Sequence, residues 1–259
     1  MDGLYRVFIE LTNRCNKSCW MCGRRKLENN GIVFNEEMDF DLLKAIAIQI
    51  PFGVLVSLHN NGESLLYSHL EAALDLFSLH ITHFNTNGKL LLEKADNIIG
   101  RLTSLTISVI ENDPEGEEQY DIISKFLAVK GNKEPMVVLR LLGNVDISKY
   151  KKFGCQIVER VLHSPMGSYS YEKKTIVSET GICQDFQNTM AIDKDGKVSI
   201  CVRFDPECKG VIGNINDNTL EEIWNSPKRM KWLNLHVKGL RNQIPLCSKC
   251  DFWGIPRGY

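Results

Sequence analysis

Short apolar runs alternate with segments of helical spacing along most of the chain. Apolar runs typical of buried strands cover residues 4–11, 54–58, 81–84, 105–110, 137–142 and 155–162. Helical spacing covers residues 39–50, 70–78 and 122–129. Strands that alternate with helices in this way predict a parallel sheet with helices packed against it. Five or six such units are too few for a closed eight-stranded barrel, so we expect an α/β fold with a partial, open barrel.

The remaining segments predict loops and a small second unit. Residues 23–35 are polar, residues 111–119 form an acidic loop on the surface, and residues 163–178 form a linker. Residues 190–192 and 197–201 predict a hairpin, and a helix begins at residue 220 after Asn218 or Thr219 as its N-cap. We therefore divide the chain into a barrel over 1–165, a linker over 166–180 and a cysteine-rich domain over 181–259.

Composition excludes several classes of function. Lys and Arg number 31 against 32 Asp and Glu in 259 residues, and no basic patch favours nucleic acid as a partner. No stretch is apolar enough for a membrane span, and the start of the chain lacks the pattern of a secretion signal. We expect a cytoplasmic protein, in which nine cysteines indicate metal binding or catalysis rather than disulfides.

Three cysteines follow the first predicted strand at close spacing. Cys15, Cys19 and Cys22 lie at positions i, i+4 and i+7. Three thiolates hold three irons of a [4Fe–4S] cluster and leave the fourth iron open, as a catalytic site requires. A zinc site is the alternative, but zinc motifs usually supply thiols in Cys-x-x-Cys pairs, and a fourth ligand would have to come from afar.

This triplet resembles the signature of the radical S-adenosylmethionine (SAM) superfamily. The resemblance implies that SAM chelates the open iron, and that its cleavage yields a 5′-deoxyadenosyl radical that abstracts a substrate hydrogen. It also implies an aromatic residue near the adenine just before the third cysteine. Met21 occupies that position and departs from the pattern, although methionine is likewise apolar and polarisable. The reductant implied for the cluster is a flavodoxin or ferredoxin.

Polar residues after the next strands match the SAM-binding positions of that superfamily. Asn61-Gly62-Glu63-Ser64 resembles a Gly-Gly-Glu-Pro motif whose backbone holds the amino group of SAM. Glu63 is a suitable acceptor for an ammonium group, and Gly62 allows close backbone approach. The resemblance also places Thr86 and Asn87 near SAM. Ser108 faces SAM or is a satisfied strand serine, while Arg140 snorkels outward or meets a carboxylate, which SAM itself carries.

A second cysteine set lies near the end of the chain. Its four members, Cys183, Cys201, Cys247 and Cys250, suit either zinc or an iron–sulfur cluster by spacing alone. With residues 213–224 they resemble a shortened SPASM domain, called a twitch domain. The resemblance implies one auxiliary [4Fe–4S] cluster with four protein ligands, which transfers electrons rather than binding substrate. Of the two cysteines left over, Cys155 is predicted to lie in the core.

The resemblance implies oxidoreductase chemistry on a small polar, sugar- or aminocyclitol-like metabolite, with electron transfer to the auxiliary cluster. Family members that oxidise an alcohol carry an arginine, proposed as the base, after the last barrel strand, and residues 164–168 contain none. The alternative is modification of a ribosomally made peptide by epimerisation or crosslinking, with Cys208 as hydrogen donor or as a bystander surface thiol. No peptide-recognition domain precedes Cys15, which favours the small substrate. A non-enzymatic two-zinc module would leave the first triplet one ligand short.

Overall fold

The computed structural model describes residues 1–160, 162, 182–203, 205–248 and 250. Within these residues, nine strands form a single sheet. The strands are β1 (Arg6–Ile9), β2 (Leu55–Ser57), β3 (Thr82–Thr86), β4 (Ser104–Ile110), β5 (Met136–Leu142), β6 (Gln156–Arg160), β7 (Thr189–Ile192), β8 (Lys197–Ser199) and β9 (Val211–Asn214). Their order in the sheet is β6-β5-β4-β3-β2-β1-β7-β8-β9.

The first six strands form the predicted partial barrel. Neighbouring strands from β1 to β6 all pair in parallel, and β1 does not close onto β6 in the strand order. The apolar runs therefore predicted these strands correctly, and the α/β class is confirmed. The helices are α1 (Arg24–Glu28), α2 (Phe40–Ala47), α3 (Leu70–Leu76), α4 (Ala95–Ile98), α5 (Gly116–Lys130), α6 (Ile147–Lys151), α7 (Gln184–Asn188), α8 (Leu220–Trp224) and α9 (Pro227–Val237).

The two faces of the barrel strands differ in chemistry. Along β5, Val137, Leu139 and Leu141 are buried in the main core beneath the helices, while Val138, Arg140 and Leu142 are partly buried on the other face. β3 alternates in the same way, with His83 and Asn85 on the inner face. Successive strand side chains point to opposite faces, so the inner face collects the polar positions.

The predicted C-terminal hairpin joins the barrel sheet. β7 pairs in parallel with β1, with Arg6 opposite Thr189, and β8 and β9 extend the sheet in antiparallel fashion. The division at residue 181 therefore follows the sequence rather than a break in the sheet. Helix α8 begins with the predicted cap, since the Thr219 hydroxyl accepts from the backbone N–H of Glu222 in a capping box.

Two predicted loops were wrong in part. Residues 23–35 contain helix α1, and helix α5 begins at Gly116, inside the segment predicted as an acidic surface loop. Gln119 of that segment is buried, and the Asp113 side chain is only 5% exposed because it pairs with Lys17. The predicted linker at 166–180 and the loop at 164–168 lie outside the described residues.

Candidate functional site

The carboxyl ends of the parallel strands meet at one edge of the sheet and surround a cavity of about 360 Å³. Polar loops follow β1, β2 and β3 at this edge, and β4 and β5 bring their last residues to it. The edge after the strands is where α/β folds place their chemistry. The cavity is lined by almost all the residues predicted to bind the first cluster or SAM, namely Cys15, Cys19, Met21, Cys22, Asn61, Gly62, Glu63, Thr86, Asn87, Ser108 and Arg140.

The three thiols of the first motif lie together in this cavity. Burial is the main cause that raises the pKa of Cys19 to about 12, with Lys17 opposing the rise and the charges of Cys22 and Cys15 contributing to it. Burial also raises the pKa of Cys15. Three neighbouring thiols without a disulfide are the donor set that an iron–sulfur cluster needs, and their deprotonation is coupled to metal binding.

The cysteine loop is held to three other elements of the barrel. Lys17 forms a buried ion pair with Asp113, in the turn between β4 and α5. The Trp20 indole N–H donates to the carbonyl oxygen of Glu111 at 3.2 Å. The Asn87 amide at the end of β3 donates to the Asn16 side chain at 2.8 Å. These contacts hold the cysteine loop against the end of β3 and the turn between β4 and α5.

The segment after β2 packs directly against the cysteine loop. The Glu63 backbone N–H donates to the Arg14 carbonyl oxygen at 2.7 Å. A Cβ on Gly62 would lie 2.1 Å from the Thr12 carbonyl oxygen and 2.7 Å from that of Arg14. Glycine is therefore required here by the chain's own backbone, a reason that the sequence did not reveal.

We expect Gly62→Ala to displace the cysteine loop. The added methyl meets backbone atoms that have no rotamer with which to move away. SAM cleavage by the reconstituted enzyme should fall by about 100-fold, with reduced iron content. Gly116→Ala is the matched control, because its Cβ would meet only Asp113 at 3.9 Å. Equal activity of the two variants would contradict the steric argument.

The Glu63 carboxylate is hydrogen-bonded to neighbouring residues of the protein. It accepts from the Thr86 hydroxyl at 2.8 Å, the Asn87 backbone N–H at 2.8 Å and the Leu65 backbone N–H at 3.2 Å. Burial nevertheless raises the pKa of this carboxyl. Ser64 is not among the cavity-lining residues, and its hydroxyl donates to the Leu58 carbonyl oxygen at 2.6 Å.

Arg140 neither snorkels outward nor meets a carboxylate among the described residues. Its Nη2 donates to the Ser108 hydroxyl at 2.7 Å, so Ser108 and Arg140 face the cavity together. Burial is the main cause that lowers the pKa of Arg140 to about 10, and three neighbouring arginines add to it. A contact between Arg140 and the carboxylate of SAM stays a prediction.

Glu10, which the sequence did not single out, supports residues 61–64, the segment that resembles a SAM-binding motif and that we call the SAM-motif segment. It lies at the end of β1, is 5% exposed, and accepts from the Asn61 side-chain amide at 2.7 Å and its backbone N–H at 3.1 Å. Burial raises the pKa of Glu10 to about 7 despite these hydrogen bonds. A carboxylate ending an apolar strand directly before the cysteine motif was the available signal.

The raised pKa of Glu10 predicts that the folding stability of the protein depends on pH. In the folded state Glu10 keeps its proton up to about pH 7, whereas the unfolded chain releases it from about pH 4.5. Folding stability therefore falls as the pH rises through this window. We expect Glu10→Gln, which still accepts both Asn61 bonds, to match the parent at pH 5 and exceed it by about 3 kcal/mol at pH 8.5. Thermal unfolding at both values tests this, with the exposed Glu117→Gln as control; a constant difference would contradict it.

The second cysteine set also comes together. The charge of Cys250 raises the pKa of Cys183, and the charge of Cys183 raises the pKa of Cys201. Burial is the main cause that raises the pKa of Cys247 to about 12, and the charges of Cys250 and Cys183 contribute to the rise. Arg241 donates to the Cys247 carbonyl oxygen at 2.6 Å and so ties down the Cys-x-x-Cys turn. Within the described residues, no three His, Cys, Asp or Glu side chains converge on a single metal-ion site.

The two remaining cysteines differ from the clustered ones. Cys155 is half-buried against the core, as predicted, and its thiol faces the Phe153 carbonyl oxygen at 3.7 Å. Cys208 is exposed with a backbone φ of 53° and lines a neighbouring cavity together with Glu10 and Asn61. Lys209 pairs with Glu207 instead of turning to the thiol.

Comparisons with known proteins agree with this geometry. Residues 183–251 match the SPASM family, an iron–sulfur cluster-binding domain. Over 263 aligned residues, covering 97% of this chain and 94% of the relative, the chain is 25% identical to the S-adenosyl-L-methionine-dependent 2-deoxy-scyllo-inosamine dehydrogenase of Niallia circulans. Residues 183–251 therefore belong to the SPASM family, and the chain as a whole is similar to radical SAM enzymes. The predicted cofactors are those named in these matches, an iron–sulfur cluster for the SPASM family and S-adenosyl-L-methionine for the dehydrogenase.

Solved structures of radical SAM enzymes show the same fold. BtrN in complex with AdoMet and 2-DOIA aligns with a TM-score of 0.66 and 19% identity over 100% of this chain and 98% of that chain. Streptococcus suis SuiB bound to S-adenosylmethionine aligns with a TM-score of 0.68 and 12% identity over 98% of this chain and 72% of that chain. Within the residues described, no helix is long and apolar enough to cross a membrane.

Proposed function

We propose that this radical SAM enzyme oxidises a small polar, sugar-like metabolite by removing a hydrogen atom and then a second electron. The observation that carries the proposal is the cavity at the strand ends, where three thiols and the SAM-motif segments face one another. Similarity to a dehydrogenase along nearly the whole chain supports this class of reaction.

The residues at the cavity suit the cofactors. Cys15, Cys19 and Cys22 would hold a [4Fe–4S] cluster with one open iron, and no fourth cysteine lines the cavity among the described residues. Asn61, Gly62 and Met21 would contact SAM, together with Thr86, Asn87, Ser108 and Arg140. Glu63 would act by positioning the backbone of residues 86–87, because that is what its carboxylate contacts.

When bound, the first cluster and SAM would supply one-electron chemistry that accepts the substrate hydrogen atom, and the auxiliary cluster would accept the remaining electron. Overall, SAM and a secondary alcohol become 5′-deoxyadenosine, methionine, a ketone and a proton. The protein contributes by holding the alcohol carbon beside SAM and by excluding water from the cavity.

Cys183, Cys201, Cys247 and Cys250 would bind the auxiliary cluster with no iron left open. Their placement beside the sheet follows from β7, which pairs with β1, the strand that ends in the first cysteine loop. We propose the same functional division as above, a barrel over 1–165, a linker over 166–180 and a twitch domain over 181–259. A flavodoxin or ferredoxin would supply the first electron.

A second candidate is the radical modification of a ribosomally made peptide. The SuiB structure with a bound precursor peptide has the same fold at 14% identity, but this chain covers only 67% of that chain. Cys208, exposed in the cavity next to the SAM-motif segment, would then return a hydrogen atom to the peptide radical. A Cys208→Ala enzyme would still abstract hydrogen but would fail to complete an epimerisation.

The deciding experiment is anaerobic turnover of reconstituted enzyme with SAM, a reductant and candidate substrates deuterated at carbon. Oxidation predicts deuterium in 5′-deoxyadenosine and an equal amount of carbonyl product. Deuterium transfer without a carbonyl product would favour the peptide reaction. Absence of 5′-deoxyadenosine with two clusters loaded would reject the radical mechanism altogether.

A further inference from the structure

The inner face of the barrel surrounds a second cavity that is strongly basic. It has a volume of about 400 Å³ and adjoins the cavity at the strand ends, which we call the SAM cavity. The two cavities share His59, Asn85, Arg140, Arg160 and Arg203. Among the residues that the structure describes, four arginines line the second cavity, namely Arg140, Arg160, Arg203 and Arg6, against one acidic residue, Asp185. Its described side chains therefore carry a net charge of +3 when its histidines are neutral. We call this space the lumen cavity.

Three of the four arginines are directed into the lumen cavity by strand alternation. Arg6 lies on β1, where its guanidinium stacks 4.4 Å over the Phe8 ring and its Nε donates to the Ser57 hydroxyl. Arg140 and Arg160 lie on the neighbouring strands β5 and β6. Like charges brought this close in a recessed space repel one another, and they lower the pKa of Arg140.

A chain of polar side chains crosses the floor of the lumen cavity. The Ser104 hydroxyl lies 2.9 Å from His83 Nδ1, His83 Nε2 lies 3.2 Å from Asn85 Oδ1, and Asn85 Nδ2 lies 2.7 Å from His59 Nε2. Burial and nearby arginines hold the pKa of His83 at about 4 and that of His59 well below its usual range. Both rings are therefore neutral at pH 7.

The donor and acceptor roles in this hydrogen-bond network leave one donor of His59 unused. With Asn85 donating to His59 Nε2, the ring proton of neutral His59 sits on Nδ1. Among the described residues, neither His59 Nδ1 nor Arg140 Nε has a hydrogen-bond partner. A buried donor without an acceptor is costly, so both groups suit a ligand that accepts hydrogen bonds.

We infer that the lumen cavity binds the substrate through an anionic group, a carboxylate or a phosphate. This inference rests on the proposed function and names its substrate class. Arginine forks match both anions in shape and charge, and the His59 N–H completes the donor set. The anion would lie on the inner face of the sheet, leaving the rest of the substrate in the adjoining SAM cavity. An ammonium group in the same place would meet net positive charge.

The test compares four probes of similar size on one sugar scaffold. Glucose 6-phosphate, glucuronate, glucose and glucosamine are titrated calorimetrically into reconstituted enzyme with SAM bound, under anaerobic conditions and without reductant. We expect at least one of the two anions to bind about tenfold or more tightly than glucose and glucosamine, and to weaken as salt is added. Preference for one of them identifies the anion as phosphate or as carboxylate.

Variants of Arg6 show whether the lumen cavity is the binding site. Arg6 lines this cavity but not the SAM cavity. We expect Arg6→Gln to weaken anion binding about tenfold or more and Arg6→Lys to restore most of it. Arg101→Gln, which removes an exposed arginine paired with Glu71, should change nothing. Iron content and circular dichroism establish that each variant is folded and loaded.

The inference fails if glucose or glucosamine binds as tightly as both anions, if neither anion binds the loaded enzyme, or if Arg6→Gln and Arg101→Gln behave alike. SAM cleavage by the parent enzyme is measured in the same preparations. Cleavage without anion binding would overturn the substrate class and leave the proposed function standing, whereas anion binding without any SAM cleavage would overturn the function alone.

Discussion

Cys19→Ala is expected to abolish SAM cleavage while leaving the C-terminal cluster in place. Its thiol is one of three that line the SAM cavity, so two ligands would remain for the first cluster. Iron content should fall from about eight to about four per chain, as expected for the loss of one cubane cluster. The rate of 5′-deoxyadenosine formation should fall by at least about a thousandfold, because the open iron that binds SAM is lost with the cluster.

Cys155→Ala is the matched control for this experiment. Cys155 is also a half-buried thiol, but it packs against the core and lines neither cavity. It should keep about eight irons and the parent rate. If Cys19→Ala keeps the full iron complement and cleaves SAM, Cys19 is not a ligand and the assignment of the first motif is wrong.

Lys17→Met is expected to destabilise the folded enzyme more than any other substitution of a charged side chain considered above. The side chains of Lys17 and Asp113 are each only 5% exposed, so the variant leaves the aspartate charge buried without its partner. Breaking a buried pair in this way costs about 3–5 kcal/mol. For a chain of this size that corresponds to a fall in Tm of roughly 10 °C. Calorimetric unfolding of the reconstituted enzyme measures it.

A double variant that removes both charges distinguishes the effect of the Lys17–Asp113 ion pair on stability from the effect of local packing. In Lys17→Met/Asp113→Asn, the side-chain oxygen at 113 still accepts from the Glu115 backbone N–H, as Asp113 does at 3.1 Å. The double variant should therefore recover most of the lost stability. Lys44→Met, which breaks an exposed pair with Asp41, should cost far less because solvent screens that pair. A double variant as unstable as Lys17→Met would show that the packing of Lys17, not its charge, is responsible.

The positions of the barrel strands could be predicted from the sequence because each strand is a continuous apolar run between polar loops. Parallel strands covered on the outside by helices need such runs, and few other structures tolerate them. The cysteine spacing was informative for a similar reason, since three thiols within eight residues have few uses other than metal binding. The SAM-motif residues were predicted from the resemblance of the segments after the strands to those of the radical SAM superfamily.

Charged residues were predicted least well. Asp113 lies in a stretch rich in acidic residues, which composition assigns to a solvated surface, yet it pairs with a lysine 96 positions away. Glu10 and Arg140 are single charges in apolar runs, for which sequence offers no partner. Whether such a residue faces solvent, an ion or a cavity depends on groups contributed by distant strands.

By itself the sequence determined the α/β class, the two cysteine sets and the strand ends that carry the polar motifs. These are local properties, set by the period of apolar positions and the spacing of ligands within a few residues. Only the tertiary structure decided that β7 pairs with β1, that Gly62 is fitted to the backbone of the cysteine loop, and that four arginines share one cavity. Those features arise from strand pairing and close packing between segments far apart in the chain, and no local pattern encodes which distant groups will meet.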